Sequence, residues 1–298
     1  MSINYVTKRE KQFDQKLMQG ALTSILETPK VNWLGAKSFE IPTVSVSGYK
    51  AHTRSKGYNA GTVSNDKKVY TLNFDRDIEF FVDSADVDET NEELSAANVT
   101  GTFITEHATP ELDAYRFSKL AATAITATKF KSEDDYSETN VYSRLKSAIL
   151  PIRKYGAANI VIYVSSEIMD FLERSKDFTR SISTTSPQGI DTRVTSLDGV
   201  QIIEVWDDAR FKTQFEFTDG FVKASGGKDI NFLIVAKPAV IAKAKFNSIY
   251  LFAPGQHTEG DGYLYQNRMY HDLFVLENKK DGVYVSHKSE YGDRKSVV

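Results

Sequence analysis

The sequence predicts an α+β fold, and three observations indicate it. Alternating apolar and polar residues predict strands on both sides of a glycine-containing polar stretch at residues 48–66. A helical period runs through residues 96–124. Beyond residue 139, apolar strands alternate with helical segments, and the chain ends in further strands. Its 298 residues suffice for two domains, or for one domain with large extensions.

Composition excludes several functional classes. The net charge is −3, from 37 basic and 40 acidic side chains, so the basic excess typical of a nucleic-acid clamp is missing. The chain has no cysteine, which rules out disulfides, thiolate nucleophiles and cysteine-ligated zinc. No apolar run approaches membrane-spanning length, and the first residues lack the apolar core of a signal peptide. We therefore expect a protein that is made in a cytoplasm and contacts no membrane.

The first 28 residues predict one amphipathic helix. Phe13, Leu17, Ala21 and Ile25 are spaced four apart, and Pro29 ends the pattern. The helix is either an arm that docks elsewhere or an ordinary N-terminal helix packed on its own core. Periodicity alone leaves both interpretations open.

A long β-hairpin is predicted next. Val44 and Val46 alternate with polar residues in its first strand, and residues 48–66 form a flexible tip. The second strand is predicted to carry one apolar face, interrupted only by Arg76. The residues of that face are Tyr70, Leu72, Phe74, Ile78, Phe80 and Val82. Because an isolated hairpin is at best marginally stable in water, this one must lie on its own domain or on a neighbour.

Residues 83–93 form an acidic segment. Asp86 and Asp88 have the spacing of two calcium-loop ligands, but the remaining ligand frame is missing. An acidic helix start is the favoured interpretation, because carboxylates stabilise the positive end of the helix dipole.

Residues 96–124 carry the strongest helical pattern, with Pro110 inside it. Thr109 is suited to cap a restarted helix, Pro110 to occupy its first turn, and Asp113 to lie near its N-terminus. We expect either one kinked helix or two helices that meet at Pro110.

An alternating α/β pattern follows. A helix from Val141 is ended or bent by Pro151, residues 159–164 form a buried strand, and Ser165 caps the next helix. Further strands are predicted at residues 199–205, 230–236 and 263–276, and residues 278–282 predict a tight hairpin turn.

No catalytic template fits the chain. The five histidines are scattered, and neither a phosphate-binding loop nor a nucleophile elbow is present. His257, Glu259 and Asp261 share one loop and offer an imidazole and two carboxylates to a metal. A polar surface loop or a subunit contact is the favoured interpretation. We expect no catalytic residue, no cofactor and no metal.

Seven stretches resemble major capsid proteins of tailed bacteriophages of the Hong Kong 97 type. The resemblance rests on the order and number of the stretches, which are spread from residue 70 to residue 276 and so over most of the chain. They are YTLNFDRD at 70–77, FVDSADVDETN at 81–91, TPELDAYRFSK at 109–119, DGFV at 219–222, INFLIV at 230–235, FAPGQH at 252–257 and YHDLFVL at 270–276.

The resemblance implies a Hong Kong 97-like capsid fold. Such a subunit has an N-terminal arm, an extended β-hairpin called the E-loop, a long spine helix, a peripheral domain and an axial domain. The implied boundaries are 1–39 for the arm, 40–75 for the E-loop, 76–138 for the peripheral domain with its spine helix, 139–245 for the axial domain, and 246–298 for the return to the peripheral domain.

The implied function is structural. Copies of the chain would assemble as hexamers and pentamers into the icosahedral shell of a phage virion, within the cytoplasm of a host bacterium. The shell would enclose DNA without sequence-specific binding, with a scaffolding protein and a portal as further partners. An encapsulin-like cargo compartment is one alternative, and a metal-assisted hydrolase using His257 is another.

Opposite charges suggest how neighbouring subunits meet. The hairpin is basic and the segment after it is acidic, so the hairpin of one copy is expected to face the acidic segment of another. The alternative is two solvated faces that never meet. The basic candidates are Lys50, Arg54, Lys56, Lys67 and Lys68, and the acidic candidates are Asp86, Asp88, Glu89, Glu92 and Glu93.

Overall fold

A computed structural model describes residues 19–29, 31, 33–35, 37–52, 54, 57–89, 96–176 and 195–289. Its strands are β1 (Ser38–Val46), β2 (Val63–Thr71), β3 (Phe74–Asp83), β4 (Phe130–Ser132), β5 (Ile160–Ser165), β6 (Ser196–Leu197), β7 (Val200–Val205), β8 (Phe215–Glu216), β9 (Val222–Lys223), β10 (Ile230–Ala236), β11 (Val240–Phe252), β12 (Gly262–Val275) and β13 (Val283–His287). Its α-helices are α1 (Ser84–Glu89), α2 (Ala96–Phe103), α3 (Thr109–Thr126), α4 (Val141–Ile149) and α5 (Ser166–Arg174). Single 3₁₀ turns lie at Thr23–Leu26, Leu150–Tyr155, Ala157–Asn159, Asp208–Arg210, Lys237–Ala239 and Glu277–Gly282, and a π turn lies at Ile104–Ala108. No helix in the described part of the chain is long and apolar enough to cross a membrane.

A six-stranded sheet in the order β4-β13-β10-β5-β7-β6 forms the largest core. Strands β5 and β10 are buried at every position, which explains their uninterrupted apolar sequences. Ser165 ends β5 and its hydroxyl accepts a hydrogen bond from the Ile168 amide, so the predicted helix cap is confirmed. The predicted helix from Val141 also forms, and it tightens into a 3₁₀ turn around Pro151.

A three-stranded sheet in the order β11-β12-β3 forms beside it. Strand β12 confirms the strand predicted at residues 263–276. The 13-residue β11 was not predicted from the sequence. It extends on both sides of residue 245, the expected end of the axial domain, and its pairing with β12 shifts register there.

One long, irregular helix connects the two sheets. Helix α2, the π turn and α3 follow one another without a break, which confirms the kinked-helix alternative. Pro110 cannot donate a backbone hydrogen bond, and its ring would crowd the Glu106 carbonyl of a regular helix, so the chain widens just before it. The predicted capping role of Thr109 is wrong, because its backbone is helical and the helix continues through it.

The hairpin exists, but its second strand lies elsewhere than predicted. Strand β1 pairs antiparallel with β2, from Ser38 opposite Thr71 to Val46 opposite Val63. Residues 63–66 therefore belong to the hairpin rather than to its tip. The chain turns inward at Leu72, which is buried, and β3 then joins the three-stranded sheet. The sequence analysis missed this break between β2 and β3 because the apolar residues between 70 and 82 fit one face of a single strand.

The predicted hairpin turn at residues 278–282 is wrong. The chain leaves β12 through the 3₁₀ turn Glu277–Gly282 and enters the other sheet, where β13 pairs with β10 and β4. Gly282 lies in a tight gap, since a Cβ atom there would lie 2.7 Å from the Ala239 Cβ. A glycine that suggests a turn is needed here for close packing.

The predicted N-terminal helix lies mostly outside the described residues, as Phe13 and Leu17 do. Residues 19–29 cross the junction of α3 with the six-stranded sheet and contain the 3₁₀ turn Thr23–Leu26.

Candidate functional site

The β1–β2 hairpin changes from buried to exposed along its length. At its root, Phe39 is fully buried and Tyr70 is nearly so. Farther out, Val44, Val46 and Val63 are 64%, 69% and 75% exposed. The distal hairpin therefore presents apolar side chains that the described part of its own chain does not cover.

Aromatic packing fixes the hairpin root. The Phe39 ring lies 5.7 Å from the rings of Tyr70, Phe274 and Trp33, so it connects the hairpin to β12 and to the segment before β1. The Lys245 ammonium lies 3.9 Å from the Trp33 ring centre, in a cation–π contact. These contacts hold the root in place, so the body of the subunit sets the direction of the hairpin.

Most basic candidates have partners within the chain. The Lys50 ammonium donates to the Ala60 carbonyl at 2.8 Å, within the tip. Lys67 pairs with Glu40 at 2.9 Å, and Lys68 pairs with Glu277. Lys280 and Lys68 hold the pKa of the Glu277 carboxyl down at about 2. Arg54 lies exposed in the tip, and Lys56 lies outside the described residues.

The acidic candidates fall at and beyond α1. Asp86, Asp88 and Glu89 lie in α1, whose presence confirms the predicted acidic helix start, while Glu92 and Glu93 lie outside the described residues. The partners recorded for the hairpin lysines are Glu40, Glu277 and a carbonyl, as described above, rather than these acids. Lys67 and Lys68 therefore pair with acids outside the predicted acidic set.

The His257 loop does not support the hydrolase alternative. Nε2 of His257 lies 2.8 Å from the Gly262 carbonyl oxygen, and Nδ1 accepts from the Glu259 amide at 3.2 Å. Both ring nitrogens therefore serve to hold the loop together. No group of three or more histidine, aspartate or glutamate side chains in the described part of the chain is arranged to hold a metal.

A buried charged cluster was missed by the sequence analysis. Asp113, Arg116 and Arg210 are fully buried where α3 meets the six-stranded sheet. Asp113 accepts from the backbone amides of Leu22 and Thr23 at 2.9 and 3.0 Å, and Arg210 lies 3.2 Å from it. We call these three side chains the clasp, because they hold the N-terminal segment on the body.

The two arginines of the clasp donate further hydrogen bonds, most of them to the N-terminal segment. Arg116 donates to the Thr23 carbonyl at 3.2 Å and to Glu27 at 3.0 Å. Arg210 donates to the Gly20 carbonyl at 3.3 Å and to Asp207 at 3.1 Å. The local signal was misleading, because an acid near a helix start is typical of an exposed first turn. The position of residues 20–27 on the body is thus fixed by buried polar contacts.

Arg76, which interrupted the predicted apolar face, joins three elements. It donates to Glu111 of α3 at 2.9 Å and to the Phe217 and Gly220 carbonyls at 2.5 and 3.4 Å. The Phe217 ring also packs on Phe74 of β3, 5.1 Å away. Arg76 and Phe217 thereby attach the small β8–β9 hairpin to the long helix and to the three-stranded sheet, beside a cavity of about 700 Å³.

Comparison with known proteins gave structural matches only. No family model and no curated protein matches the sequence. The asymmetric unit of the bacteriophage PhiM1 mature capsid is 11% identical with a TM-score of 0.67, over 96% of this chain and 93% of that one. The capsid structure of the cyanophage P-SCSP1u is 12% identical with a TM-score of 0.62, over 95% and 93%. A Mycobacterium phage Che8 structure is 12% identical with a TM-score of 0.58, over 95% and 97%.

These matches extend over nearly the whole chain at very low identity. The chain therefore has the α+β fold of these structures, two of which are phage capsids, as the resemblance in the sequence implied.

Proposed function

We propose that the chain is the major capsid protein of a tailed bacteriophage and that it works by self-assembly into an icosahedral shell. The observation that carries the proposal is end-to-end similarity to the PhiM1 and P-SCSP1u capsid structures, with about 95% of each chain aligned. Similarity of this extent supports a shared architecture for the whole subunit. Both of these structures are phage capsids and neither is a cargo compartment, which gives the encapsulin-like alternative no support.

The proposed parts of the subunit follow from this architecture. The β1–β2 hairpin serves as the E-loop, the kinked helix α2–α3 as the spine helix, and the three-stranded sheet as the core of the peripheral domain. The segment from residue 139 through β10 serves as most of the axial domain. The supporting observation is the hairpin, whose root is fixed by aromatic packing and whose distal half is exposed.

The proposed partners are copies of the same chain. Hexamers and pentamers of subunits close the shell, and each subunit gives one hairpin and receives another. A scaffolding protein and a portal assist assembly in the host bacterial cytoplasm, and the finished virion shell encloses DNA without sequence-specific contacts. The subunit needs no catalytic step, cofactor or membrane.

A charge contact between hairpin and acidic segment remains part of the proposal. Lys50 and Arg54 at the tip are the described candidates with no carboxylate partner recorded in the chain, whereas Lys67 and Lys68 are engaged by Glu40 and Glu277. Replacing Lys50 and Arg54 together with glutamate is expected to impair assembly, because it places like charges opposite one another. Shells formed normally by this double variant would contradict the contact and favour two solvated faces.

Negative-stain microscopy and analytical sedimentation of the purified chain test the proposed function. Shells, or hexamers and pentamers that convert to shells, are the expected result. A compact monomer at all protein and salt concentrations, with and without co-expressed scaffolding protein, would contradict it.

A further inference from the structure

The apolar residues of β1 change faces partway along the strand. Successive side chains of a strand point to opposite faces, so Phe39 and Ile41 share one face whereas Val44 and Val46 share the other. The pairing of β1 with β2 runs in continuous register from one end to the other. The change of face is therefore a property of the sequence, and no β-bulge produces it.

The second strand shows the same change. Tyr70 pairs with Phe39 at the root, whereas Val63 pairs with Val46 at the distal end. Val69, opposite Glu40, also belongs to the face of the distal valines. We call this the valine face; its valines are Val44, Val46, Val63 and Val69, which are 53% to 75% exposed, and Glu40, Pro42, Asn65 and Lys67 lie on the same face.

The opposite side of the distal hairpin is hydrophilic. Thr43 pairs with Asp66, and the hydroxyl groups of Ser45 and Ser64 lie 2.6 Å apart. We call these four residues the polar face. It is continuous with the root face that carries Phe39 and Tyr70. At the distal end, three valines therefore lie on one side of the strand pair and two serines on the other.

The subunit body covers only one face of the hairpin. Phe39 and Tyr70 pack on Phe274 of β12, so the root face is turned toward the body. The valine face is turned the other way, and the described body does not reach it. Val44, Val46 and Val63 are neighbours at the distal end of this face, whereas the ion pair of Lys67 with Glu40 separates them from Val69. A second molecule can cover these three valines.

The small size of this patch indicates which molecule covers it. Five residues of each strand span about 17 Å, and a two-stranded ribbon is about 10 Å wide, so the patch measures on the order of 200 Å². A stable pairwise complex buries about 800 Å² on each partner. One such contact is too weak for a separate binding protein, but it suffices where each copy gives and receives a hairpin around a closed ring.

We propose that the valine face lies on the body of a second copy of this chain, and that the polar face remains in solvent. This inference rests on the proposed capsid function and adds the orientation of the hairpin. It places the partner on the side of the hairpin away from the subunit's own body, so that each hairpin is held between its own body at the root and a neighbour at its distal end.

Adjacent cysteines on opposite faces test the orientation. The natural chain has no cysteine, so Val46→Cys and Ser45→Cys each introduce a single thiol. Maleimide labelling is followed in unassembled and assembled protein, with assembly verified by sedimentation. We expect Val46→Cys to react at least tenfold more slowly after assembly, and Ser45→Cys to change less than twofold.

Charge insertion gives a second, independent measurement. Val44→Asp is expected to raise the protein concentration needed for assembly at least tenfold, and Ser45→Asp less than threefold. Both variants alter only the exposed hairpin, so the secondary structure of the body serves as the folding control.

Each contrary result has a distinct meaning. Equal protection of both thiols, protection of position 45 alone, or equal effects of the two aspartates would overturn the orientation and leave the proposed function standing. A thiol at position 46 that is already protected in unassembled protein would mean that the chain covers its own valine face, and would also overturn it. A natural chain that forms no assembly would contradict the proposed function, and the orientation would fall with it.

Discussion

The clasp buries charged side chains, whereas the distal hairpin exposes apolar side chains. The clasp buries Asp113, Arg116 and Arg210 completely, and it satisfies Asp113 with backbone amides and a guanidinium group of the same chain. The distal hairpin leaves valines exposed that its own body does not cover. Burying a charge without partners is costly, so the clasp must be completed within the subunit. An exposed apolar face is tolerated in the unassembled chain, so a neighbouring subunit can cover it during assembly.

The difference separates residues that fold the subunit from residues that join subunits. Changes in the body should alter the free energy of unfolding of the isolated chain. Changes in the distal hairpin should leave that quantity nearly unaltered and should affect assembly instead. The following variants test this separation.

The largest effect is expected for Asp113→Ala. Removing the carboxylate leaves two backbone amides without their acceptor and Arg210 with Asp207 as its remaining carboxylate partner, which costs about 3–5 kcal/mol of unfolding free energy. Urea denaturation of the unassembled chain measures it. Asp135→Ala is the matched control, because Asp135 pairs with Arg144 at the surface and its loss should change little. A loss below about 1 kcal/mol for Asp113→Ala would contradict the role of the clasp.

Acid should weaken the body through His271. Burial is the main cause that lowers the pKa of this side chain to about 3, whereas in the unfolded chain it titrates near 6.5. The unfolded state then binds the proton more readily, so stability is fully retained above pH 6.5 and falls between pH 6.5 and 3. The loss from this group is about 2 kcal/mol at pH 5.

The comparison of wild type with His271→Gln isolates this contribution. Unfolding is measured by urea at pH 7.5 and pH 5, and the drop between the two should be about 2 kcal/mol smaller in the variant. Equal pH dependence in both proteins would show that His271 does not carry the effect.

The parts of the fold that could be predicted from the sequence are those that depend on interactions between residues close together in the chain. The cap at Ser165, the end of the helix at Pro151 and the buried strands depend on residues close together in the chain, and all are confirmed. The second hairpin strand was misplaced because residues 63–68 are mostly polar, as suits a strand pair that protrudes from the body.

The features that were missed depend on distant contacts. Asp113 lies about 90 residues from the two amides that donate to it. Gly282 suggested a turn because its close neighbour Ala239 is distant in the sequence, so a local sequence pattern does not include it. The same limit applies to the candidate interface. Lys67 and Lys68 were expected to face acids of another copy, but they pair with acids in their own chain, one of them more than 200 residues away.

A moderate effect is expected for Arg76→Met. The change removes hydrogen bonds to Glu111 and to two carbonyls of the β8–β9 hairpin, and it leaves the Glu111 carboxylate partly buried without its partner. We expect a loss of about 1–2 kcal/mol in urea denaturation. Arg268→Met is the control on the same sheet, because Arg268 pairs with Asp75 in an exposed position and should matter little. Equal effects of the two variants would contradict the joining role of Arg76.

The smallest effect on unfolding is expected when the hairpin is shortened. Replacing residues 47–62 with Asn-Gly joins Val46 to Val63 by a two-residue turn, which suits an antiparallel pair in this register. Because the described residues among those removed are exposed, the free energy of unfolding should change by less than about 0.5 kcal/mol. The variant retains the valine face but loses Tyr49 and Tyr58, whose side chains are fully exposed at the tip. The yield of shells that form when the variant is mixed with wild-type protein measures how much the tip contributes to assembly. A loss of more than about 1 kcal/mol would mean that the tip stabilises its own subunit, and the separation between folding and joining residues would then fail at this point.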